Sequence, residues 1–161
     1  MDRLWSPWRS RYIASGVDSQ AHECVFCRIA GDVEHDESNF VLHRGEHAFV
    51  LLNLYPYISG HLMVVPYLHT SEFDSTAKEI TDEMMDLAKR AQTALREVYS
   101  PAGFNLGMNL GAAAGAGIAD HLHIHLLPRW SGDTNFMTTV AETRVLPEDL
   151  PITYSKLRGK F

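Results

Sequence analysis

The sequence is short of cysteine, of uninterrupted apolar runs and of positive charge, and each shortage removes a class of protein. Two cysteines in 161 residues cannot build a disulfide framework. No apolar stretch approaches the roughly 18 residues that span a bilayer. The opening Met1-Asp2-Arg3-Leu4-Trp5 lacks the apolar centre of a secretory signal. The expected location is therefore the cytoplasm, with no membrane partner. Lysine and arginine number 14 against 20 aspartates and glutamates, a formal charge of −6 with histidine neutral. That balance argues against a nucleic-acid polymer as ligand, which needs a basic face. It leaves room for a small anion, because a few local groups outweigh a global charge.

What remains is ordinary for one globular domain: 45% hydrophobic and 21% charged residues, enough to bury a core without staples. Alternating apolar residues and breakers predict strands over 40–44, 47–53, 61–66, 104–110 and 121–127. The 3.6-residue spacing of Ile80, Met84, Leu87, Ala91, Leu95 and Val98 predicts a long helix over 76–99, with Thr76 and Glu79 as a capping box and Pro101 beyond its end. Residues 24–30 read as a short turn or helix, and a short C-terminal helix follows Pro147. The expected class is α+β, an antiparallel sheet of about five strands with one long and one short C-terminal helix. Residues 1–161 then make a single domain: an N-terminal arm over 1–23 that packs through Trp5, Trp8 and Tyr12, a core over 24–130, and a C-terminal loop and helix over 131–161.

Histidine is the residue in excess, with nine copies. Three stand in His121-Leu122-His123-Ile124-His125-Leu126-Leu127. Strand side chains alternate faces, so His121, His123 and His125 share one face. Crowded imidazoles with ordinary pKa values near 6.5 oppose charging one another, which keeps at least one neutral and nucleophilic at pH 7. A neutral imidazole attacks phosphorus or carbonyl carbon to give a covalent intermediate, and a flanking histidine can supply protons to a leaving group. The preceding Gly111-Ala112-Ala113-Ala114-Gly115-Ala116-Gly117 loop would let backbone N–H groups approach a phosphate. Two other readings stay open: histidines paired with carboxylates in an inert sheet, and three histidines on one catalytic metal, where adjacent same-face positions make two ligands easy and three harder.

The His-Leu-His-Ile-His-Leu-Leu stretch resembles the signature of the histidine-triad (HIT) family, His-φ-His-φ-His-φ-φ with φ apolar. Leu52-Asn53, Gly60-His61-Leu62-Met63-Val64-Val65-Pro66, Asn109 and the Gly-rich approach fall in the family's order, so the resemblance covers residues 24–130. Leu54-Tyr55-Pro56-Tyr57, Ala119-Asp120-His121-Leu122-His123, Pro128-Arg129-Trp130-Ser131-Gly132-Asp133-Thr134-Asn135-Phe136 and the opening Leu4-Trp5-Ser6-Pro7-Trp8-Arg9 are similar to the bacterial branch that includes diadenosine tetraphosphate phosphorylases. The resemblance implies a HIT-like fold and a homodimer with a sheet continuing across the interface. It implies an enzyme that cleaves a dinucleoside polyphosphate at the α-phosphate through a nucleotidyl-histidine, released by water or inorganic phosphate. His123 would be the nucleophile. His125 would contact and help protonate the phosphates, and His61 would sit beside the triad. Asn53 would bind ribose, and Asn109 with the backbone of Gly115, Gly117 and Ala119 would hold phosphates. Many family members carry Gly-Gln-Ser or Gly-Gln-Thr before the triad; here the stretch is Ala116-Gly117-Ile118-Ala119-Asp120, without that polar side chain. A protein of another class, a nucleotide sensor or partner-binding module with vestigial catalysis, is the alternative.

Cys24-Val25-Phe26-Cys27 offers two thiolates to one metal. A closed zinc site needs two more ligands. Resemblance to the Cys, Cys, His, His pattern of several histidine-triad proteins implies His69 and His121. Such a zinc would be structural, and no organic cofactor is expected. Two buried reduced thiols are the plainer alternative. Arg129, Asp133 and Asn135 are candidates for substrate contact. Phe26, Leu42 and Leu51 are candidates for a base pocket, although apolar strand residues are core by default.

Overall fold

A computed structural model describes residues 24–134 and 146–161; the arm with Trp5, Trp8 and Tyr12, and Asn135, lie outside that range. Five strands form one antiparallel sheet: β1 (Val41–Arg44), β2 (Ala48–Leu52), β3 (Leu62–Pro66), β4 (Gly103–Gly107) and β5 (Ile124–Arg129). Their order is β1-β2-β3-β5-β4. Helix α1 spans Val25–Gly31, α2 Lys78–Tyr99 and α3 Leu150–Leu157. The expected α+β class, five strands, long helix and short C-terminal helix are all present.

β2 and β3 are buried along their whole length because both faces of the sheet are covered. Period-two alternation sorts their side chains. Ala48, Val50, Leu52, Leu62, Val64, Ile124 and Leu126 pack against α2 and α3. Phe49, Leu51, Met63 and Val65 point the other way and pack against Phe26 and Ile29 of α1. α2 presents Met84, Leu87, Ala88, Ala91, Ala94 and Leu95 to the sheet, a stripe at helical spacing. Ile80 and Val98 sit at its edges, half-buried. One face of the sheet is thus a sealed core, and the other is left to α1 and the site.

Three local expectations shift. The capping box does not form: Thr76 Oγ1 donates to the carbonyl of Glu72 at 2.6 Å, and Ala77 is the N-cap with no side-chain bond. The fifth strand's ladder starts at Ile124 rather than His121. Beyond Val64 opposite Ile124, β3 runs into Pro66, which has no N–H to offer, and Leu122 N–H donates instead to Thr70 O at 2.7 Å. The fourth strand ends at Gly107, opposite His125. At the other end, Ser100 takes φ 45° and closes α2 in a left-handed turn before Pro101.

Glu83 on α2 latches the β1–β2 turn. Its carboxylate accepts the backbone N–H of Glu46 at 2.8 Å and that of His47. Burial pushes this carboxyl up, but the amides of Glu46, His47 and Ala48 outweigh it and hold the group below its ordinary value. Gly45 leaves the room: a Cβ there would lie 2.5 Å from Glu83 Oε1. Glu83→Ala leaves those amides unpaired and is expected to cost about 1–3 kcal/mol in urea unfolding. The latch lies at the β1–β2 turn and bonds none of His61, His121, His123 and His125, so kcat and KM should stay at wild-type values; a loss of activity without a loss of stability would contradict this role.

Candidate active site

α1, the loop between β2 and β3, and the start of β5 bring the functional side chains together on the α1 face. A cavity of about 270 Å³ opens there, lined by Phe26, Leu51, Asn53, Tyr57, Ile118, His123 and His125 among others. His125 lies in one cross-strand row with Leu51, Met63 and Gly107. The rings of His123 and His125 meet edge to face at 4.7 Å between centroids.

Backbone groups fix the protons on these rings. A carbonyl only accepts, so His123 Nδ1 must donate to His121 O at 2.9 Å, and the ring's lone pair is on Nε2. A backbone amide only donates, so His61 Nδ1 must accept from Tyr57 N–H at 3.2 Å. Asn53 Nδ2 lies 3.4 Å from the same nitrogen, its orientation set by Asn53 Oδ1 accepting from Tyr55 N–H at 2.9 Å. The proton of neutral His61 is therefore on Nε2, which faces His125 Nδ1 at 2.9 Å.

Burial lowers the pKa of His123, partly opposed by the bond to His121 O. It lowers that of His61 further, to about 3, with His125 and His123 adding to the effect. His121 shifts down as well, mainly by burial, against the bond to Pro66 O. The carboxylate-paired alternative fails for His61, His121 and His123, whose bonds go to backbone, Asn53, sulfur and other imidazoles.

These shifts make stability depend on pH. Folded His61 stays neutral down to about pH 3, whereas an unfolded histidine takes a proton below about 6.5. Between those values the unfolded chain binds the extra proton, so stability falls as pH drops through that window and is fully present above it. One such group gives a slope of at most about 1.4 kcal/mol per pH unit. His61→Asn should flatten the pH dependence of the urea midpoint between pH 6 and 4 relative to wild type; identical slopes would contradict a neutral buried His61.

A second cluster lies on the His121 side of His123. Cys24 Sγ is 3.3 Å and Cys27 Sγ 3.6 Å from His121 Nδ1, and His69 Nδ1 is 3.2 Å from both Cys27 Sγ and His121 Nδ1. Both cysteines are free thiols. All four donor atoms lie within 4.8 Å of one another, the one such metal-competent group among the described residues. Bonds of 2.0–2.3 Å to a tetrahedral zinc place ligand atoms roughly 3.3–3.8 Å apart, so this donor set fits that ion. His121 Nε2 donates to Pro66 O at 2.9 Å, which leaves Nδ1 bare and aimed at the cluster. The three triad histidines do not converge on one point: Nδ1 of His121 faces the thiols, that of His123 faces a carbonyl, and that of His125 faces His61.

The Gly-rich loop divides. Gly117 and Ile118 line the cavity, whereas Gly115 and Ala119 lie outside its lining. Asn109 Nδ2 donates to Gly115 O at 3.3 Å and so braces the loop. Arg129 binds Asp133 through Nε and Nη2 and Asn105 through Nη1, which ties the loop after β5 to β4. Phe26 and Leu51 do line the cavity, while Leu42 packs into the α2 core. Sequence reasoning missed Tyr57, whose ring packs on His61 at 4.7 Å. The only signal was its place in the Leu54-Tyr55-Pro56-Tyr57 stretch. It offered Phe26 only as a base-pocket candidate and did not foresee that its ring meets those of His121 and His123 at 5.3 and 5.2 Å.

The profile of the HIT domain matches residues 34–132. The chain is 38% identical to the AP-4-A phosphorylase of Mycobacterium tuberculosis over 152 residues, 92% of this chain and 78% of that protein. It is 34% identical to a 16.1 kDa HIT-like protein of Mycoplasma pneumoniae over 76% of this chain and 82% of the other. A zinc-bound histidine-triad protein from Mycobacterium smegmatis superposes with a TM-score of 0.69 at 29% identity, covering 86% of this chain and 92% of that one. The fold and the histidine cluster define a histidine-triad protein, and the chain belongs to the HIT family. It is an enzyme of that family.

Proposed function

We propose that this enzyme cleaves dinucleoside polyphosphates of the diadenosine tetraphosphate type at the α-phosphate, with His123 Nε2 as nucleophile. The observation that carries this reading is the bond from His123 Nδ1 to His121 O, which fixes a neutral ring with its Nε2 lone pair beside a cavity. The Nε2 pair forms a bond to the α-phosphorus, and the P–O bond to the polyphosphate breaks with its electron pair on oxygen. Inorganic phosphate or water then displaces the imidazole and releases the nucleotide. The resemblance to AP-4-A phosphorylase supports phosphate as acceptor.

A cavity of about 270 Å³ is at the small end for ligand pockets, roughly 300–1,000 Å³. It suits one nucleoside, with Phe26, Leu51 and Ile118 against the base and Asn53 toward the ribose. The second nucleoside would leave across Leu54 and Tyr55, both more than 40% exposed. Asn109, Gly115, Gly117 and Ala119 are assigned to the phosphates; Gly117, in the cavity wall, is the best placed of them.

Cys24, Cys27, His69 and His121 would hold a zinc ion. With four protein ligands it has no open position, so it would supply rigidity rather than chemistry. The zinc-bound relative supports that assignment. No helix among the described residues is long and apolar enough to cross a membrane. The edge strand β4, with exposed Leu106, is where a second copy would extend the sheet into a homodimer; residues 1–161 would form one such cytoplasmic domain.

Product analysis tests the reaction. Diadenosine tetraphosphate incubated with phosphate should yield ADP and ATP, and without phosphate little product. AMP and ATP in both conditions would make the enzyme a hydrolase instead, and no cleavage in either would overturn the reading.

A further inference from the structure

The triad's third histidine is tied to a chain of hydrogen bonds whose direction the backbone dictates. Tyr57 N–H and Asn53 Nδ2 both donate toward His61 Nδ1, so His61 carries its proton on Nε2 and donates to His125 Nδ1 at 2.9 Å. A nitrogen that accepts a hydrogen bond in the ring plane holds no proton of its own. His125 is therefore a neutral ring with its single proton on Nε2. The Tyr57 ring packs against both partners, at 4.7 Å from His61 and 6.0 Å from His125, and holds them in register.

A neutral Nε2–H can donate a hydrogen bond to a phosphate oxygen. It cannot give that proton up, because the ring would be left as an imidazolate, and His61 cannot replace the proton without becoming one itself. In the stretch before the triad, Ala116-Gly117-Ile118-Ala119 offers no side-chain proton donor.

We propose that the Asn53/Tyr57–His61–His125 relay holds His125 as a fixed hydrogen-bond donor and not a general acid, and that this confines the substrates to nucleotidyl compounds whose leaving group departs as a stable anion. Phosphoanhydrides and mixed phosphate–sulfate anhydrides qualify. Phosphoramidates, which must leave as protonated amines, and alkyl phosphodiesters, which must leave as alcohols, do not. The inference rests on the proposed attack by His123. The electron balance is unchanged: the N–P bond forms, the P–O bond breaks, no proton moves, and the cationic phosphoimidazole keeps its Nδ1–H on His121 O. Tyr57 is a positioning residue in this scheme.

Two measurements test it on the full chain. The first compares kcat/KM for diadenosine tetraphosphate and adenosine 5′-phosphosulfate with that for adenosine 5′-phosphoramidate and the methyl ester of AMP. General acid catalysis typically contributes 10²–10⁴-fold, so the anhydrides should be favoured by roughly that factor or more beyond the intrinsic difference in uncatalysed rate. A phosphoramidate turned over within about tenfold of the anhydrides would overturn the proposal. The second is nitrogen-15 NMR of the histidine side chains at pH 7, which needs no substrate. His61 and His125 should both appear as neutral Nε2–H tautomers in wild type and in Tyr57→Phe. Tyr57→Ala keeps the backbone amide that fixes His61 Nδ1 and should show the same tautomers. A doubly protonated His125, or an Nδ1–H tautomer of either ring, in wild type would overturn the relay. Failure of the enzyme to cleave any of the four compounds would count against the attack by His123 itself, while the NMR result would still decide for or against the relay.

Discussion

His123→Ala is expected to lower kcat for diadenosine tetraphosphate by roughly 10⁴–10⁶-fold, the scale seen when a covalent nucleophile is removed. The physical reason is local. His123 is the one triad ring whose Nδ1 is committed to a carbonyl, so its Nε2 lone pair stays available over the whole range in which the ring is neutral. Burial widens that range by lowering its pKa. The proposed reading places nucleotide affinity on Phe26, Leu51, Asn53 and the loop backbone instead, so Kd for a non-cleavable dinucleotide analogue should change only a few-fold. Residual activity within about tenfold of wild type would mean that another group attacks.

Removal of the metal site should have the next largest effect. Cys24→Ser with Cys27→Ser leaves His69 and His121 as two ligands, too few to hold zinc. Because a structural metal contributes its binding free energy to folding, the thermal midpoint should fall by roughly 10 °C or more. Turnover should fall with it. His121 offers its Nδ1 to the thiols, its Nε2–H to Pro66 O and its own carbonyl to His123, so freeing the side chain also frees the acceptor that orients the proposed nucleophile. Phe26, between the two cysteines, packs on both rings and transmits the same loosening. Purified wild-type protein should carry about one zinc equivalent per chain by elemental analysis, and the double variant none. Wild-type protein free of metal yet fully active and equally stable would remove the site from the scheme.

The parts of the site that obey a period were legible in the sequence. His123 and His125 reach the cavity because strand alternation puts them on the face opposite Ile124 and Leu126, which enter the α2 core. The convergence of Cys24, Cys27, His69 and His121 was visible only through resemblance, since nothing local to 24–27 or 69 specifies that β3 delivers His69 beside α1. Parity also decided which base-pocket candidates reach the cavity: Leu51 alternates onto the α1 face, and Leu42 onto the other. Tyr57 was not legible, because it acts through a backbone amide and a ring in an aperiodic loop. The true start of β5 was hidden for a similar reason. Pro66 ends the ladder from the neighbouring strand, so residues 121–123 read as strand although their partner cannot bond them. The lost capping box shows the competition at a helix start, where Thr76 turned back to the Glu72 carbonyl.

Rapid quenching of the enzyme with diadenosine tetraphosphate labelled at the α-phosphate, in the absence of acceptor phosphate, followed by peptide mapping under alkaline conditions that preserve phosphoramidates, examines the attack itself. One adenylyl group should be found on His123, formed fast enough to be an intermediate and lost on addition of phosphate as ADP appears. Label on His125, His61 or no residue, with product formation undiminished, would contradict nucleophilic attack by His123.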